Sequence, residues 1–178
     1  PLPARSVLFR VSQNNGALLD AAGQPVRGLA VTTDAEGKAQ ARFTLGSRAG
    51  AGNNRVEATS PGITGAAVFV ASATSQPPAK VSLDAGNGQK GETRKPLPRP
   101  FVAVVTDDGH NRLPDVPVTF TVVQGEGDFN GQTSVTVHTD SDGRALAVLT
   151  LGARAGIENN VVEASVAEPS VFPAGFVA

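Results

Sequence analysis

Polar and apolar residues alternate along several short stretches of this chain. The pattern is plainest in residues 38–45, KAQARFTL, and it recurs in residues 7–11 and 118–122. A period of two residues is typical of a β-strand with one buried face. Gly- and Asp-rich turn sequences separate these runs, and no segment keeps a helical period. The pattern therefore predicts an all-β fold.

The chain also contains an internal repeat, which decides how it is divided. Residues 33–58 and 139–164 are identical at 16 of 26 positions at a constant offset of 106. An earlier block, residues 2–11, matches residues 113–122 at an offset of 111. Because the offset then falls to 106, the first copy must contain five extra residues between the two blocks, and we place them within residues 19–29. We therefore expect two copies of one domain.

A shorter match, residues 69–71 with residues 176–178, marks the end of each copy. We predict two tandem immunoglobulin-like β-sandwich domains. Residues 1–71 are an incomplete domain without its first two strands, residues 72–79 are a Ser/Pro linker, and residues 80–178 are a complete domain. The second copy has the size of one immunoglobulin-like sandwich, and the proline pair of the linker favours an extended chain.

The second copy is expected to contain seven strands. We place them at residues 80–85, 100–106, 116–123, 132–138, 144–151, 160–166 and 172–178. The segment 91–100 contains three prolines, which cannot sit in the middle of a sheet. We interpret it as an edge or crossover segment.

The two copies together predict which side chains face the interior. Residues 144–151, RALAVLTL, are nearly all apolar, so their own pattern does not show the buried face. The alternation of the first copy, transferred by the offset of 106, shows it. The expected interior positions are Ala39, Ala41, Phe43, Leu45, Val56 and Ala58 in the first copy, and Ala145, Ala147, Leu149, Leu151, Val162 and Ala164 in the second.

Several motifs of the second copy resemble a known family. They are Leu97-Pro98-Arg99-Pro100, Val105-Thr106-Asp107 with its Gly/Asn turn, the VPVTF of 116–120, the TDSDGRA of 139–145 and the LTLG of 149–152. Residues 80–178 resemble the bacterial immunoglobulin-like domain group 1, Big-1, of invasin- and intimin-type surface proteins. The first copy resembles the later two-thirds of such a domain.

This resemblance implies a location outside the cell, at the bacterial cell surface. It implies a structural or adhesive role, with other immunoglobulin-like domains of the same or neighbouring chains as partners. It also implies that Phe101, Ala103 and Val105 face the interior, which the periodicity of their own segment does not show.

Residues 80–112 have no counterpart ahead of Pro1, so we expect part of the core around Phe9 and Phe43 to be open. Burying one Phe contributes roughly 1.5–3 kcal/mol, a large share of a net domain stability of about 5–15 kcal/mol. Three explanations stay open. The parent polypeptide continues upstream, another chain donates the missing strands to residues 1–71 by strand addition, or the first copy is poorly ordered.

Composition excludes several function classes. The net charge is −1, which gives no basic surface for nucleic acid and no polybasic patch for an anionic membrane. No apolar run approaches the roughly 18 residues of a membrane helix, so we expect no membrane insertion by this segment. Cys, Trp, Tyr and Met are absent, which excludes disulfides, thiolate metal sites and a Trp or Tyr platform for sugars. Because residue 1 is not Met, we expect a processed chain or a fragment of a longer one.

Two turn sequences offer pairs of carboxylates, Asp34 with Glu36 and Asp140 with Asp142. Ca²⁺ takes about six to eight oxygen ligands, so two carboxylates would need a further one from another turn. We interpret both sequences as tight turns in which Asp caps the backbone and Gly takes positive φ. We expect no cofactor, and calcium at these four residues is the alternative.

No arrangement of residues indicates catalysis, and we predict that the chain is not an enzyme. His110 and His138, the two histidines, belong to a turn and a strand end, and no Ser/His/Asp arrangement is duplicated. Arg94, Lys95 and Arg99 form a basic cluster, which we interpret as a solvated edge that discourages sheet-to-sheet aggregation.

An Asn-Asn pair recurs at equivalent positions of both copies, residues 53–54 and 159–160. A site specific to one domain would not recur in this way. The recurrence therefore favours a loop-shaping role.

From the sequence we expect a structural or adhesive module of an extracellular bacterial surface protein or filament. Its tandem domains would act as spacers, and strand donation is one route by which such chains could assemble. The alternative is a non-catalytic accessory module of a larger secreted enzyme. Further copies in the parent would favour the first, and an attached catalytic domain the second.

Overall fold

The computed structural model describes residues 1–178 and contains β-strands and no helix. The predicted all-β fold is therefore confirmed. Contacts gather the chain into two compact units, Pro1–Ser75 (unit 1) and Gln76–Ala178 (unit 2). A helix long and apolar enough to cross a membrane is not present.

The strands follow one another in chain order. Those of unit 1 are β1 (Ser6–Gln13), β2 (Ala17–Leu19), β3 (Pro25–Val26), β4 (Gly28–Thr32), β5 (Arg42–Thr44), β6 (Gly50–Thr59) and β7 (Ala67–Ala73). Those of unit 2 are β8 (Lys80–Ala85), β9 (Phe101–Thr106), β10 (Pro117–Gln124), β11 (Ser134–His138), β12 (Arg144–Ala147), β13 (Val161–Ser165) and β14 (Ala174–Val177). The seven strands expected in the second copy are all found.

Unit 2 is a sandwich of two antiparallel sheets. One sheet has the order β11-β10-β13-β14 and the other β12-β9-β8. This is the immunoglobulin-like arrangement, except that the fourth strand pairs with the third instead of the fifth. β12 ends at Ala147, not at residue 151 as predicted, because Thr150 bridges to Asp128 and Pro96 instead of continuing along β9.

The interior of unit 2 is a dry apolar layer between these sheets. Phe101, Phe120 and Phe176 are fully buried, and the Phe176 ring lies 4.7 Å from Phe101 and 6.1 Å from Phe120 between centroids. The predicted interior positions of the second copy are all buried: Ala145, Ala147, Leu149, Leu151, Val162 and Ala164. Ala103 and Val105 are buried as well, as the family resemblance implied.

The proline-rich segment 91–100, interpreted from the sequence as an edge or crossover segment, leads into β9 and runs beside residues 149–151. It forms no strand, but the N–H of Leu97 donates to the carbonyl of Leu149 (2.8 Å). The N–H of Leu151 in turn donates to the carbonyl of Lys95 (2.9 Å). This segment therefore covers the end of the core around Leu149 and Leu151.

Unit 1 repeats only one of the two large sheets. Its order, β4-β1-β6-β7, matches β11-β10-β13-β14 strand for strand, and a small sheet, β3-β2-β5, lies beside it. The five extra residues form the β2–β3 hairpin, where Asp20 Oδ1 accepts the N–H groups of Ala22 (2.9 Å) and Gln24 (2.8 Å). The sequence pattern did not predict β2 or β3 as strands.

Two further expectations differ from the structure. Leu45 was expected inside but is 44% exposed, because unit 1 has no counterpart of the segment that covers Leu151 in unit 2. Ser72 and Ala73 were assigned to the linker but continue β7. The division into tandem domains at 71 and 80 stays a prediction.

Candidate strand-acceptor groove

One face of the unit 1 sheet carries an open apolar groove of about 460 Å³. We call it the unit 1 groove. Its walls are formed by Phe9, Leu18, Ala39, Gln40, Ala41, Phe43, Asn54, Val56, Phe69, Val70 and Ala71. The floor comes from β1, β6 and β7, and one rim comes from residues 39–41. Most of these side chains are apolar, so the groove exposes to water an apolar surface of the kind that forms a domain interior.

The floor of the groove and the buried face of the unit 2 sheet are built in the same register. Phe9 pairs with Ala58 between β1 and β6, and Phe120 pairs with Ala164 between β10 and β13. Both ladders have a bulge at the same place, after Val11 in unit 1 and after Val122 in unit 2. Residues at these offsets can therefore be compared one by one.

The comparison shows which side chains unit 1 leaves uncovered. Phe69 is 56% exposed, whereas its counterpart Phe176 is fully buried against Phe101. Val7, Ala58 and Phe43 are half-buried, whereas their counterparts Val118, Ala164 and Leu149 are fully buried. The difference arises because unit 1 has no strand in the place that β9 occupies in unit 2.

The rim of the groove, residues 39–41, pairs with no strand. In unit 2, Arg144–Ala147 pairs antiparallel with β9, with Arg144 opposite Val104 and Ala147 opposite Phe101. The equivalent residues 38–41 pair with no strand in unit 1, although their side chains alternate in the same way. The N–H and the carbonyl of Lys38 are bonded to Asp34 within the turn, so the backbone groups left free are those of residues 39–41. Free backbone N–H and C=O groups along an apolar rim are the features that accept an added strand.

Both units fix the entry of β1 and β10 with the same threonine clamp. Thr33 Oγ1 donates to the carbonyl of Leu2 (2.7 Å) and accepts the N–H of Arg5 (2.9 Å). Thr139 Oγ1 donates to the carbonyl of Leu113 (2.6 Å) and accepts the N–H of Val116 (2.9 Å). Leu2 therefore holds the place of Leu113.

Leu113 lies directly beside the end of β9. Its N–H donates to the carbonyl of Val105 (3.1 Å), and the neighbouring Arg112 bridges to Thr106. By the equivalence of the two clamps, Leu2 stands at the end of the unit 1 groove. A strand filling the groove would end next to it.

One charged side chain at the rim also differs between the units. Arg144 Nε donates to Asp84 Oδ2 of β8 at 2.6 Å, and this hydrogen bond is the main cause that raises the pKa of the Arg144 guanidinium. The counterpart of Arg144 is Lys38, which is exposed and forms no ion pair. The rim of unit 1 thus presents the unpaired cation of Lys38, whereas unit 2 has the Arg144–Asp84 salt bridge at the equivalent position.

The calcium candidates lie in two turns of the same geometry. Asp34 Oδ1 accepts the N–H of Lys38 (2.8 Å), and Asp140 Oδ1 accepts the N–H groups of Asp142 and Arg144 (both 2.9 Å). Gly37 and Gly143 have φ of 76° and 69°, the left-handed turn conformation. Glu36 and Asp142 lie exposed beside them, and no group of three or more His, Cys, Asp or Glu side chains in the chain could hold a metal ion.

The remaining candidates lie apart from the groove. His110 has a positive φ of 61° in a turn, and His138 Nδ1 is 2.8 Å from Asp115 Oδ1 with both side chains exposed. The basic cluster of Arg94, Lys95 and Arg99 is exposed.

The recurring Asn pairs shape loops, as predicted. Asn54 is fully buried, and its Oδ1 accepts the N–H of Gly46 (2.8 Å) while its Nδ2 donates to Asn53 Oδ1 (2.8 Å). Asn160 Nδ2 donates to Asn159 Oδ1 (3.0 Å) in the same way. The buried amide of each pair thus satisfies backbone groups of the preceding loop.

One buried carboxylate, Asp107, has a structural role that the sequence pattern did not indicate. It is only 2% exposed, and it accepts the N–H groups of Gln76 (2.9 Å) and Asn111 (2.8 Å) and the Asn111 side-chain amide. Desolvation raises its pKa, but the hydrogen bonds from Asn111, Gln76 and Gly109 outweigh it, so the pKa lies below its usual value. The Asp-Asp-Gly-His-Asn sequence predicted a turn at residues 107–111, but nothing local predicted the contact with Gln76.

Comparisons with known proteins give little. No protein-family model and no curated protein match the chain. Among solved structures, a β-glucuronidase of Parabacteroides merdae with glycerol in its active site aligns with 98% of this chain and 21% of its own, at 14% identity and a TM-score of 0.37. The chain thus spans about a fifth of that enzyme's length. A similarity of this degree carries no argument about function.

Proposed function

We propose that the chain is a structural or adhesive module of an extracellular bacterial surface protein or filament, in which tandem immunoglobulin-like units act as spacers. The observation that carries this proposal is the path of the chain through each unit. A module that the chain enters at one end and leaves at the other adds its length to the polypeptide's reach.

Unit 2 is crossed in this way. Lys80, the first residue of β8, pairs with Thr106 at one end of the sandwich. Val177 lies at the other end, where its N–H donates to Asn87 Oδ1 (2.8 Å) and its carbonyl accepts the N–H of Gly88 (2.9 Å). Six strand residues, about 20 Å of β8, separate the two ends.

Unit 1 is also crossed from one end to the other. Ser6 opens β1 at the end where Leu8 pairs with Thr59, and β7 ends at Ala73, which pairs with Gly50 at the opposite end. Two units with the same lengthwise path and the same sheet register suit a repeated spacer. The resemblance of residues 80–178 to Big-1 domains supports the bacterial surface as the location.

Antibodies against residues 1–178 test the proposal on intact cells of the source bacterium. We expect labelling at the outer surface before permeabilisation, on a polypeptide that carries further copies of the repeat. Labelling that requires permeabilisation would contradict the proposal. A labelled polypeptide with one catalytic domain and no further copies would favour the accessory module of a secreted enzyme instead.

A further inference from the structure

We propose that the unit 1 groove binds a β-strand pair with the chemistry of β8 and β9, and that this pair is joined to the parent polypeptide ahead of Pro1. The inference deepens the proposed function and rests on it for its biological role. Its physical basis is the comparison of the two units within this chain.

The groove fixes the register of the incoming strand. In unit 2, β9 runs antiparallel to β12 with Ala103 opposite Ala145 and Phe101 opposite Ala147. Transferred by the offset of 106, the residue in the place of Ala103 lies opposite Ala39. The residue in the place of Phe101 lies opposite Ala41, where its ring would cover Phe69.

The exposed surface of the groove fixes the side chains of this strand. Phe101, Ala103 and Val105 are the inward residues of β9, and each is completely buried. We therefore expect a large aromatic or aliphatic side chain opposite Ala41, a small one opposite Ala39, and an apolar one two residues further on. Small residues at the rim leave room for the large one, as they do in unit 2.

The second strand of the pair is selected by charge. Asp84 of β8 reaches across β9 to Arg144 (2.6 Å), and Lys38 presents the equivalent cation in unit 1. We expect an acidic residue at the Asp84 position of the donated pair. A strand pair with a basic residue at that position would place two cations together and would bind less well.

The position of Leu2 indicates how the pair arrives. Residues 107–112 connect β9 to Leu113 in unit 2, and Leu2 is held by Thr33 as Leu113 is held by Thr139. A strand joined by a connection of this length reaches the groove without leaving the unit. Covalent attachment also raises its effective concentration to about the millimolar range.

A graft onto the full chain tests this inference. Residues 80–112 are placed ahead of Leu2 in place of Pro1, so that Arg112 of the graft precedes Leu2. We expect amide exchange at Ala39 and Ala41 to slow on the order of 100-fold, because these two amides would donate to the added strand and exchange only by opening. The amide of Gln40 points away from that strand and should stay fast. The grafted chain should remain monomeric.

Three controls make the outcome specific. A graft in which the residues equivalent to Phe101, Ala103 and Val105 are Ser should leave Ala39 and Ala41 unprotected. Ala41→Arg in the rim should block the graft, whereas Ala30→Arg, at an exposed position of β4 outside the groove, should not. Lys38→Glu should weaken the protection that the graft confers.

Two results would overturn the inference. Fast exchange at Ala39 and Ala41 in the grafted chain would show that the groove does not accept the strand. Slow exchange at these residues in the ungrafted chain, appearing together with a dimer, would show that a second copy fills the groove. Neither result affects surface labelling, so failure of the inference and failure of the proposed function can be told apart.

Discussion

The ring of Phe101 lies against that of Phe176, with centroids 4.7 Å apart and planes tilted by 33°. Phe69, which holds the position of Phe176 in the other unit, has only the ring of Phe9 near it, at 6.3 Å. One repeated residue thus sits in a closed core in unit 2 and in an open groove in unit 1. The strand that supplies Phe101 makes the difference.

This difference predicts unequal effects of one substitution. Phe176→Ala should destabilise unit 2 by about 3–5 kcal/mol, because it leaves a cavity in a packed core. Phe69→Ala should change the stability of unit 1 by less than about 1 kcal/mol, because most of the ring already contacts water. Urea unfolding, followed separately in each unit by hydrogen exchange, measures both changes in the free energy of unfolding. Equal losses of stability in the two variants would contradict the open groove.

The threonine clamp predicts a loss that a conservative replacement avoids. Thr139→Val should cost about 1–3 kcal/mol, because it leaves the carbonyl of Leu113 and the N–H of Val116 without their shared partner. Thr139→Ser keeps the hydroxyl and should retain most of the stability. Thermal unfolding of both variants is the measurement. If Ser costs as much as Val, packing of the methyl group and not the clamp is responsible.

Gly86 and Gly88 form a matched pair for testing the end of β8. Both have positive φ, but a Cβ at Gly86 would collide with the carbonyl of Pro100, whereas a Cβ at Gly88 would meet nothing. Gly86→Ala should therefore destabilise unit 2 by more than about 3 kcal/mol, and Gly88→Ala only by about 1–2 kcal/mol. Chemical denaturation compares the two, and similar effects would show that the chain after β8 can move away from Pro100.

Asp107 gives a prediction about pH. Its folded pKa is lowered, so the stability that it contributes is present above its unfolded value of about 3.9 and is lost as pH falls through the folded pKa. Asp107→Asn should be less stable than the native chain at pH 7, and the difference should shrink below about pH 4. Unfolding curves at both pH values test this. A difference that stays constant with pH would show that the charge of Asp107 contributes nothing.

Much of the fold could be predicted because the sequence contains the same sheet twice. Polar residues at 38, 40 and 42 revealed a buried face that the apolar run at 144–151 conceals. The prediction failed at Leu45, whose burial depends on a segment that only unit 2 possesses. It also missed β2 and β3, because these strands are too short for alternation to show.

The groove could be foreseen only in part. The absence of a counterpart to residues 80–112 predicted an open core near Phe9 and Phe43. Phe9 itself stays buried at 6% exposure, and the exposed ring is Phe69. Which ring faces water depends on which side chain the missing strand would contact, and in unit 2 Phe101 contacts Phe176, the counterpart of Phe69. No local pattern encodes that contact.

Amide hydrogen exchange of the full chain, kept monomeric by dilution, tests the central claim most directly. We predict fast exchange at the amides of Ala39 and Ala41 and slow exchange at their equivalents, Ala145 and Ala147, which donate to β9. Equally slow exchange at both pairs of amides in the monomer would show that the rim of unit 1 is already paired, and it would contradict the account.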